Sequence, residues 1–302
     1  MLEPLFVSCL IILSSFLFQL RRLNIKKLQE KGLSPLTALY YQKYAIYPAF
    51  ILLFLTFEIE YCYLLLTSEI LITFGLIAFF WFSAELIGFY LLKAAKSLSF
   101  LNAFQTLIAI PAALAFGYFL NQDVPNYLIY LALLILIFAV IIKPQSKLPQ
   151  NQNNIFQQGF FFILLLAGIS VLFDVIDNGL YRFILQNFQA TIFGIAFYTS
   201  LTMLSVNIFF LFKKIPLQEK KLANQSQYLA FSIAPFWFLA SIPEGYGFSN
   251  VPIYTYVGIA AATFLLDVSS DLKNNRIANH RKTYFFATLV VASLVLSTFS
   301  LA

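Results

Sequence analysis

Charge is scarce in this chain. Asp, Glu, Lys and Arg make up 11% of its 302 residues, whereas 61% of the residues are apolar and 18% are aromatic. So little polar surface cannot cover a soluble globule of this size, and lipid must therefore solvate much of the exterior. The composition excludes a soluble fold and indicates a membrane protein.

Cysteine and histidine are also rare. The two cysteines, Cys9 and Cys62, lie within or beside apolar stretches, and their spacing matches neither a metal site nor a redox pair. The one histidine, His280, lies in a basic run and is expected in a loop. The sequence contains no Walker motif, which argues against ATP-driven activity of this chain alone. No cofactor and no metal are expected.

Long apolar runs dominate what is present. Most of them approach the ~20 residues that a helix needs to cross a bilayer, although the fifth, eighth and ninth are short. They cover residues 4–20, 36–57, 70–93, 98–120, 125–143, 157–175, 189–212, 227–243, 250–267 and 284–301. Strands of a membrane barrel would be shorter and alternating, so we predict an all-α membrane protein with ten transmembrane helices.

The basic residues alternate with these runs. Seventeen of the nineteen Lys and Arg residues fall in every second gap, and the opposite side keeps Arg182 alone. Those in the first gap are Arg21, Arg22, Lys26, Lys27 and Lys31. By the positive-inside rule the basic gaps are cytoplasmic, which places both termini outside. Topology and anionic lipid headgroups account for the net charge of +6, so nucleic-acid binding is not expected.

A polar stretch near the midpoint, PQSKLPQNQNN at 144–154, divides the chain. We predict a five-helix repeat over 1–146, a linker over 147–155 and a second five-helix repeat over 156–302. Halves with an odd number of spans enter the membrane in opposite senses, which is the inverted-repeat arrangement of many secondary transporters. A faint internal match, SLSFLN at 97–102 and GYGFSN at 245–250, precedes the fourth and ninth runs.

Several stretches carry a family resemblance. They are SPLTALYYQKYAIYPAFILLFL at 34–55 with Lys43, the stretch 90–142 with Pro111 in its fourth helix, LFDVIDNGLYR at 172–182, and 254–282. In this pattern the chain resembles the drug/metabolite transporter superfamily, in its ten-span EamA-like form. It lacks the Gly-Glu pair that often ends the fourth and ninth helices of that family. Members are also usually drawn with cytoplasmic termini, against the orientation that the charges give here.

The resemblance implies a secondary transporter, not an enzyme, in a plasma or inner membrane. Such a protein would move a small polar or amphipathic metabolite, such as an amino-acid-like or aromatic solute, by alternating access. A small-molecule substrate and the lipid bilayer are the expected partners, and homo-oligomerisation is left open.

The residues leave two other functions open. One is a non-transporting membrane partner or regulator with the same fold. The other is a membrane-embedded prenyltransferase, because Asp267 and Asp271 are spaced to bind magnesium and diphosphate. A second aspartate cluster with suitable spacing is missing, since Asp174 and Asp177 are three residues apart.

Ionisable side chains inside a span cost at least ~2.5 to 3.5 kcal/mol, so they normally face a bundle interior or an aqueous cavity. Lys43 and Glu85 lie at similar depth in the antiparallel second and third spans, and an ion pair between them is geometrically possible. Such a pair either neutralises itself and fixes helix packing, or lines a solvated cavity and contacts substrate.

The full predicted substrate-binding set is Lys43, Trp81, Glu85, Gln105, Trp237, Glu244 and Tyr254. Trp81 shares a helical face with Glu85, and Trp237 shares one with Glu244. Asp174, Asp177 and Arg182 are instead expected to form a solvated cluster at the exit of the sixth span.

Overall fold

The computed structural model describes residues 2–94, 98–121, 124–142, 153–188, 191–212, 215–216, 218–221, 239–241, 243–244, 247, 250–266, 269 and 280–301. Within these ranges all regular structure is helical and there is no strand, so the predicted all-α class is confirmed. The α-helices are α1 Leu2–Glu30, α2 Pro35–Phe57, α3 Ser68–Ala94, α4 Leu98–Asn121, α5 Tyr127–Ile142, α6 Asn153–Phe188, α7 Thr191–Phe212, α8 Ile253–Ala260 and α9 His280–Phe299. A 3-10 helix, η1, covers Ile59–Leu66.

Five of the described stretches are long and apolar enough to cross a bilayer. They are Pro4–Glu30, Ser68–Ala94, Leu101–Phe119, Phe162–Ile184 and Arg281–Phe299. Large apolar side chains such as Phe119 and Leu134 point outward from the bundle, with 78% and 62% of their surface exposed. An apolar exterior of this kind is compatible with a membrane protein, because lipid would cover it.

Two helices extend beyond the predicted ends of their spans. The first span was predicted to end at residue 20, but α1 continues to Glu30, and the sixth was predicted to end at residue 175, but α6 continues to Phe188. Both predicted spans end at or next to their first charged residues, Arg21 and Asp174. These charges lie inside the bundle instead, and the residues after them remain good helix formers. Helix α6 also begins at Asn153, so the last residues of the predicted linker are helical.

The two largest apolar cores of the described residues hold much of the bundle together. One lies among α2, α3, α6 and α7 and is centred on Phe50, Phe74 and Tyr198. The other lies among α4, α5, α8 and α9 and includes Leu136 and Phe286. The central cavity described below lies between helices of both groups.

A pair of carboxylates ties the ends of α2 and α7. Glu58, directly after α2, accepts a hydrogen bond at 2.7 Å from the backbone N–H of Phe193, in the first turn of α7. Glu219, after α7, accepts one at 2.7 Å from the hydroxyl of Ser34, the N-cap of α2. Helix starts carry unsatisfied N–H groups and a partial positive charge, so an anion stabilises them. The two helices therefore pack antiparallel, and each is followed by the acid that caps the other; we call this pair the α2–α7 clamp.

Candidate functional site

A central cavity of about 330 Å³ lies among α1, α3, α4, α6, α7 and α8. Its volume is at the lower end of the ~300 to 1,000 Å³ of ligand pockets. Aromatic side chains on its wall include Phe18, Trp81 and Tyr181. The ionisable side chains that line it are Arg21, Arg22, Glu85, Asp174, Asp177, Tyr181, Glu244 and Tyr256. Charges are costly among apolar helices, so their gathering around one cavity marks it as the candidate site.

Glu85 on α3 is the acceptor at the centre of a buried polar cluster. Its Oε1 accepts hydrogen bonds from Arg21 Nη2 at 2.9 Å and from Gln42 Nε2 at 3.0 Å. Its Oε2 accepts one from the Tyr198 hydroxyl at 2.6 Å and pairs with Lys43 Nζ at 2.8 Å. An ionised carboxylate offers about four lone-pair sites, and all are used here. Glu85 thus joins α1, α2 and α7 to α3 and is held in one position.

Lys43 lies behind the cavity wall. It is fully buried and is not among the residues that line the cavity. Its Nζ lies 4.4 Å from the centroid of the Tyr198 ring and 5.9 Å from that of Trp81, within reach of cation–π attraction. The two rings stack with centroids 3.9 Å apart. The predicted Lys43–Glu85 ion pair is present, and in this geometry Lys43 acts on the cavity by fixing Glu85.

Arg21 is a cavity residue that the sequence analysis placed in a cytoplasmic gap. Its side chain is 9% exposed, forms an ion pair with Glu85 at 2.9 Å and lies over the rings of Phe18 and Phe89. Its neighbour Arg22 also lines the cavity and donates from Nη2 to Oε1 of Gln105 at 3.0 Å. These two residues are part of the site and not of a loop. The alternation of basic gaps persists without them, because three lysines follow in the same gap.

The acids of α6 also lie inside the bundle. Asp174 is exposed and lines the cavity. Asp177, on the next turn, also lines the cavity but is only 2% exposed. Arg182 is 5% exposed. The predicted solvated cluster at the exit of the sixth span is therefore wrong. The apolar part of α6 runs over Phe162–Ile184, which puts Asp174 near its middle and not at its end.

Glu244 reaches the same cavity from the segment before α8. Tyr256 donates a hydrogen bond from its hydroxyl to Glu244 Oε1 at 3.0 Å, and both residues line the cavity. Asp174 lines the cavity too, near enough for two negative charges at these acids to repel each other. The predicted position of Glu244 near the binding site thus agrees with the geometry, while its role remains a prediction.

The other predicted site residues fall into three groups. Trp81 and Gln105 line the cavity beside Glu85 and Arg22. Tyr254 does not line it; the residue is 4% exposed and packs in the apolar core among α4, α5, α8 and α9, because its position on α8 faces those helices. Trp237 lies outside the described residues, as do Asp267 and Asp271.

Helical spacing could have revealed the residues that were missed. Ser170, Asp174 and Asp177 follow the spacing i, i+4, i+7 and share one face of α6. Ser14 and Arg21 are seven residues apart on α1 and likewise share a face. A polar stripe on an otherwise apolar helix indicates a face turned to the bundle interior, even where a charge would suggest the end of a span.

Comparison with known proteins gives the fold and leaves the activity open. No family model matches the chain, and no curated protein matches it. A solved structure described as "Crystal structure of protein" is similar over 98% of this chain and 96% of that chain, with a TM-score of 0.67 and 14% sequence identity. At this identity the likeness shows a shared fold alone.

Proposed function

We propose that this protein is a secondary transporter that moves a small polar or amphipathic metabolite, amino-acid-like or aromatic, by alternating access. The observation that carries the proposal is the central cavity, where two arginines and four acids face one space among apolar helices. A membrane protein retains such costly charges where they serve a substrate or ion pathway. The proposal includes ten spans, an inverted repeat and membership of the drug/metabolite transporter superfamily, which rests on the sequence resemblance.

Two hydrogen bonds support the inverted repeat. Ser14 on α1 donates to the backbone carbonyl of Ala240 at 2.9 Å, and Ser170 on α6 donates to that of Ala84 on α3 at 3.1 Å. The two serines are 156 positions apart, and so are the two alanines. The residues around the alanines also match, since AFFWFSA at 78–84 and APFWFLA at 234–240 share five of seven letters at the same offset. A repeated contact between repeated segments favours two halves of one design.

Helix pairing points in the same direction. Helix α2 packs against α7, α4 against α8 and α5 against α9. In the proposed repeat these are the corresponding second, fourth and fifth helices of the two halves. Helices that lie beside a two-fold axis pack against their own counterparts, so this pairing supports an inverted repeat. Rocking of one half against the other would then expose the cavity to each side in turn.

The wall of the cavity suits a solute that carries both charges and a ring. Arg21 and Arg22 lie on α1, whereas Asp174 and Asp177 lie on α6 and Glu244 precedes α8. Trp81 and Tyr181 add aromatic surface next to Glu85. A zwitterion with an aromatic or aliphatic body would find a partner for each of its groups.

The test has two stages. Thermal unfolding of the purified protein across a panel of amino acids and aromatic acids and amines would identify ligands, because binding to the folded state raises the unfolding temperature. Uptake of those ligands into liposomes that contain the protein would then be compared with protein-free liposomes. Ligands that stabilise the protein and cross the bilayer support transport. Stabilisation without flux in either direction would favour the non-transporting alternative.

A further inference from the structure

The cluster around Glu85 contains more positive than negative charge. Lys43 and Arg21 both form ion pairs with this one carboxylate, at 2.8 Å and 2.9 Å. The carboxylate already accepts from Gln42 and Tyr198 as well. One carboxylate cancels one of the two cations, so the cluster itself keeps a net positive charge, while the acids Asp174, Asp177 and Glu244 also line the cavity. Because uncompensated charge is costly in the interior of the bundle, an anion placed directly against this cluster would be stabilised.

Arg21 is the cation of this cluster that faces the cavity. Lys43 is covered by the stacked rings of Trp81 and Tyr198, whereas Arg21 lines the cavity next to Arg22. The Nε–H of Arg21 is buried and has no hydrogen-bond partner among the described residues. A buried donor without an acceptor loses the hydrogen bonds it made to water. Since this atom exposes no surface to the cavity, it is the guanidinium as a whole, which lines the cavity, that an acceptor of a ligand would meet.

Apart from Glu85, the described acids of the cavity do not form an ion pair with Arg21, so its guanidinium group is available to a ligand. Asp174 and Glu244 are near enough for their charges to interact with that of Arg21, yet among the described residues the ion pair of Arg21 is made with Glu85 alone. Arg22 is oriented by Gln105 of α4, at 3.0 Å. Two guanidinium groups on successive residues therefore line the cavity, that of Arg21 hydrogen-bonded to Glu85 of α3 and that of Arg22 to Gln105 of α4. A guanidinium presents its donors as a planar fork that matches the two oxygens of a carboxylate.

We infer that Arg21, with Arg22 beside it, forms a subsite for the carboxylate group of the substrate. This inference rests on the proposed function and makes it more specific. The transported solute must carry a carboxylate, which binds at the α1 side of the cavity. An amine without a carboxylate lacks the group that this subsite binds.

Trp81 provides a direct readout of binding. The chain has two tryptophans, Trp81 and Trp237, and Trp81 lines the cavity. In the W237F variant the fluorescence of Trp81 would report on a ligand nearby. Because Trp237 is itself a predicted site residue, W237F and the wild type are first compared by the rise in unfolding temperature that each probe causes. The probes are 3-phenylpropionate, L-phenylalanine and 2-phenylethylamine, which share a phenyl ring and differ in carrying a carboxylate, both groups or an amine.

Three substitutions in the W237F background separate the subsite from general electrostatics. R21K keeps the charge next to Glu85 and removes the Nε donor, whereas R21Q leaves Lys43 and Glu85 as a neutral pair that should still fold. K26Q removes one charge from the same helix at a residue that does not line the cavity. The unfolding temperature of each variant would confirm that it is folded.

We expect the two probes with a carboxylate, 3-phenylpropionate and L-phenylalanine, to bind. The amine 2-phenylethylamine should bind roughly tenfold more weakly, because it cannot accept charge-assisted hydrogen bonds from the guanidinium groups. R21Q should weaken the binding of the carboxylates by a similar factor, R21K by less, and K26Q should leave it unchanged. Equal binding of amine and carboxylates, or carboxylate binding that R21Q does not change, would overturn the subsite. Transport of amines alone would overturn it too while the proposed function stands. Absence of any response to the three probes also counts against the subsite, and the liposome assay then decides separately on transport.

Discussion

Trp81 stacks on Tyr198, with ring centroids 3.9 Å apart and ring planes 8° from parallel, and this stack separates Lys43 from the cavity. The hydroxyl of Tyr198 donates to Glu85, so the same residue covers the lysine and binds its counter-ion. Glu85 lines the cavity, whereas the lysine enclosed in this way is removed from both lipid and solvent. Its main effect is on stability and on the position of Glu85.

The first prediction concerns the charges of this cluster. In E85Q, Arg21 and Lys43 lose their common counter-ion and remain buried, which should destabilise the protein by ~3 to 5 kcal/mol. In K43M, the ion pair of Arg21 with Glu85 persists and the cluster becomes neutral, so the loss should be smaller. Thermal unfolding in detergent micelles would measure both. If K43M were the more damaging of the two, the cluster around Glu85 would not carry an excess of positive charge.

The second prediction concerns Asp174, the acid near the middle of the apolar part of α6. Its side chain is exposed to the cavity, and no hydrogen bond or ion pair to it is made by the described residues. D174N should therefore leave stability almost unchanged, while it lowers transport by at least about tenfold through the loss of a charged contact to the solute. The matched control is E69Q, since Glu69 is an exposed acid at the start of α3 and does not line the cavity. Equal transport by D174N and E69Q would remove Asp174 from the mechanism.

The sequence predicted the helical class and the partnership of Lys43 with Glu85, because a charge inside an apolar run has few ways to be stabilised. The sequence did not predict that Arg21 and Asp174 line the central cavity. Each lies near a predicted span end, where a charge can equally mark the membrane surface or face a cavity. Tertiary packing alone decides between these, since it determines whether a helix continues past the charge. Tyr254 was predicted as a site residue and packs in an apolar core, because a hydroxyl on a packed helix does not reveal which side the cavity lies on.

The third prediction uses Glu219 of the α2–α7 clamp. Burial alone would raise its pKa, but hydrogen bonds from Thr37 and Ser34 lower the pKa below its ordinary 4.5. A carboxyl group whose pKa is depressed by folding stabilises the protein at higher pH, and this stabilisation is lost as the pH falls below 4.5 through the folded value. E219Q should therefore lower the stability at pH 7, by less than about 1 kcal/mol because the group is partly exposed to solvent.

The measurement is the difference in unfolding temperature between the wild type and E219Q at pH 7 and at pH 4. This difference should shrink at the lower pH, where the wild-type carboxylate starts to protonate. E30Q, which neutralises an exposed acid at the end of α1, serves as the control and should show no such trend. A difference that stays constant with pH would mean that the charge of Glu219 does not contribute to the clamp.

The fourth prediction decides the orientation in the membrane, where the charges and the family resemblance disagree. Cys62 is an exposed, free cysteine on η1, after α2 and on the side opposite to the basic gaps. If those gaps are cytoplasmic, Cys62 faces outward. In intact cells that produce the C9A variant, a membrane-impermeant maleimide should therefore label Cys62.

Lys31 is an exposed residue of the first basic gap, so K31C in a C9A/C62A background should be labelled after permeabilisation alone. The reverse pattern would place both termini in the cytoplasm. The basic residues would then face outward, and Arg21 and Arg22 would border the cavity on the side from which an imported solute arrives.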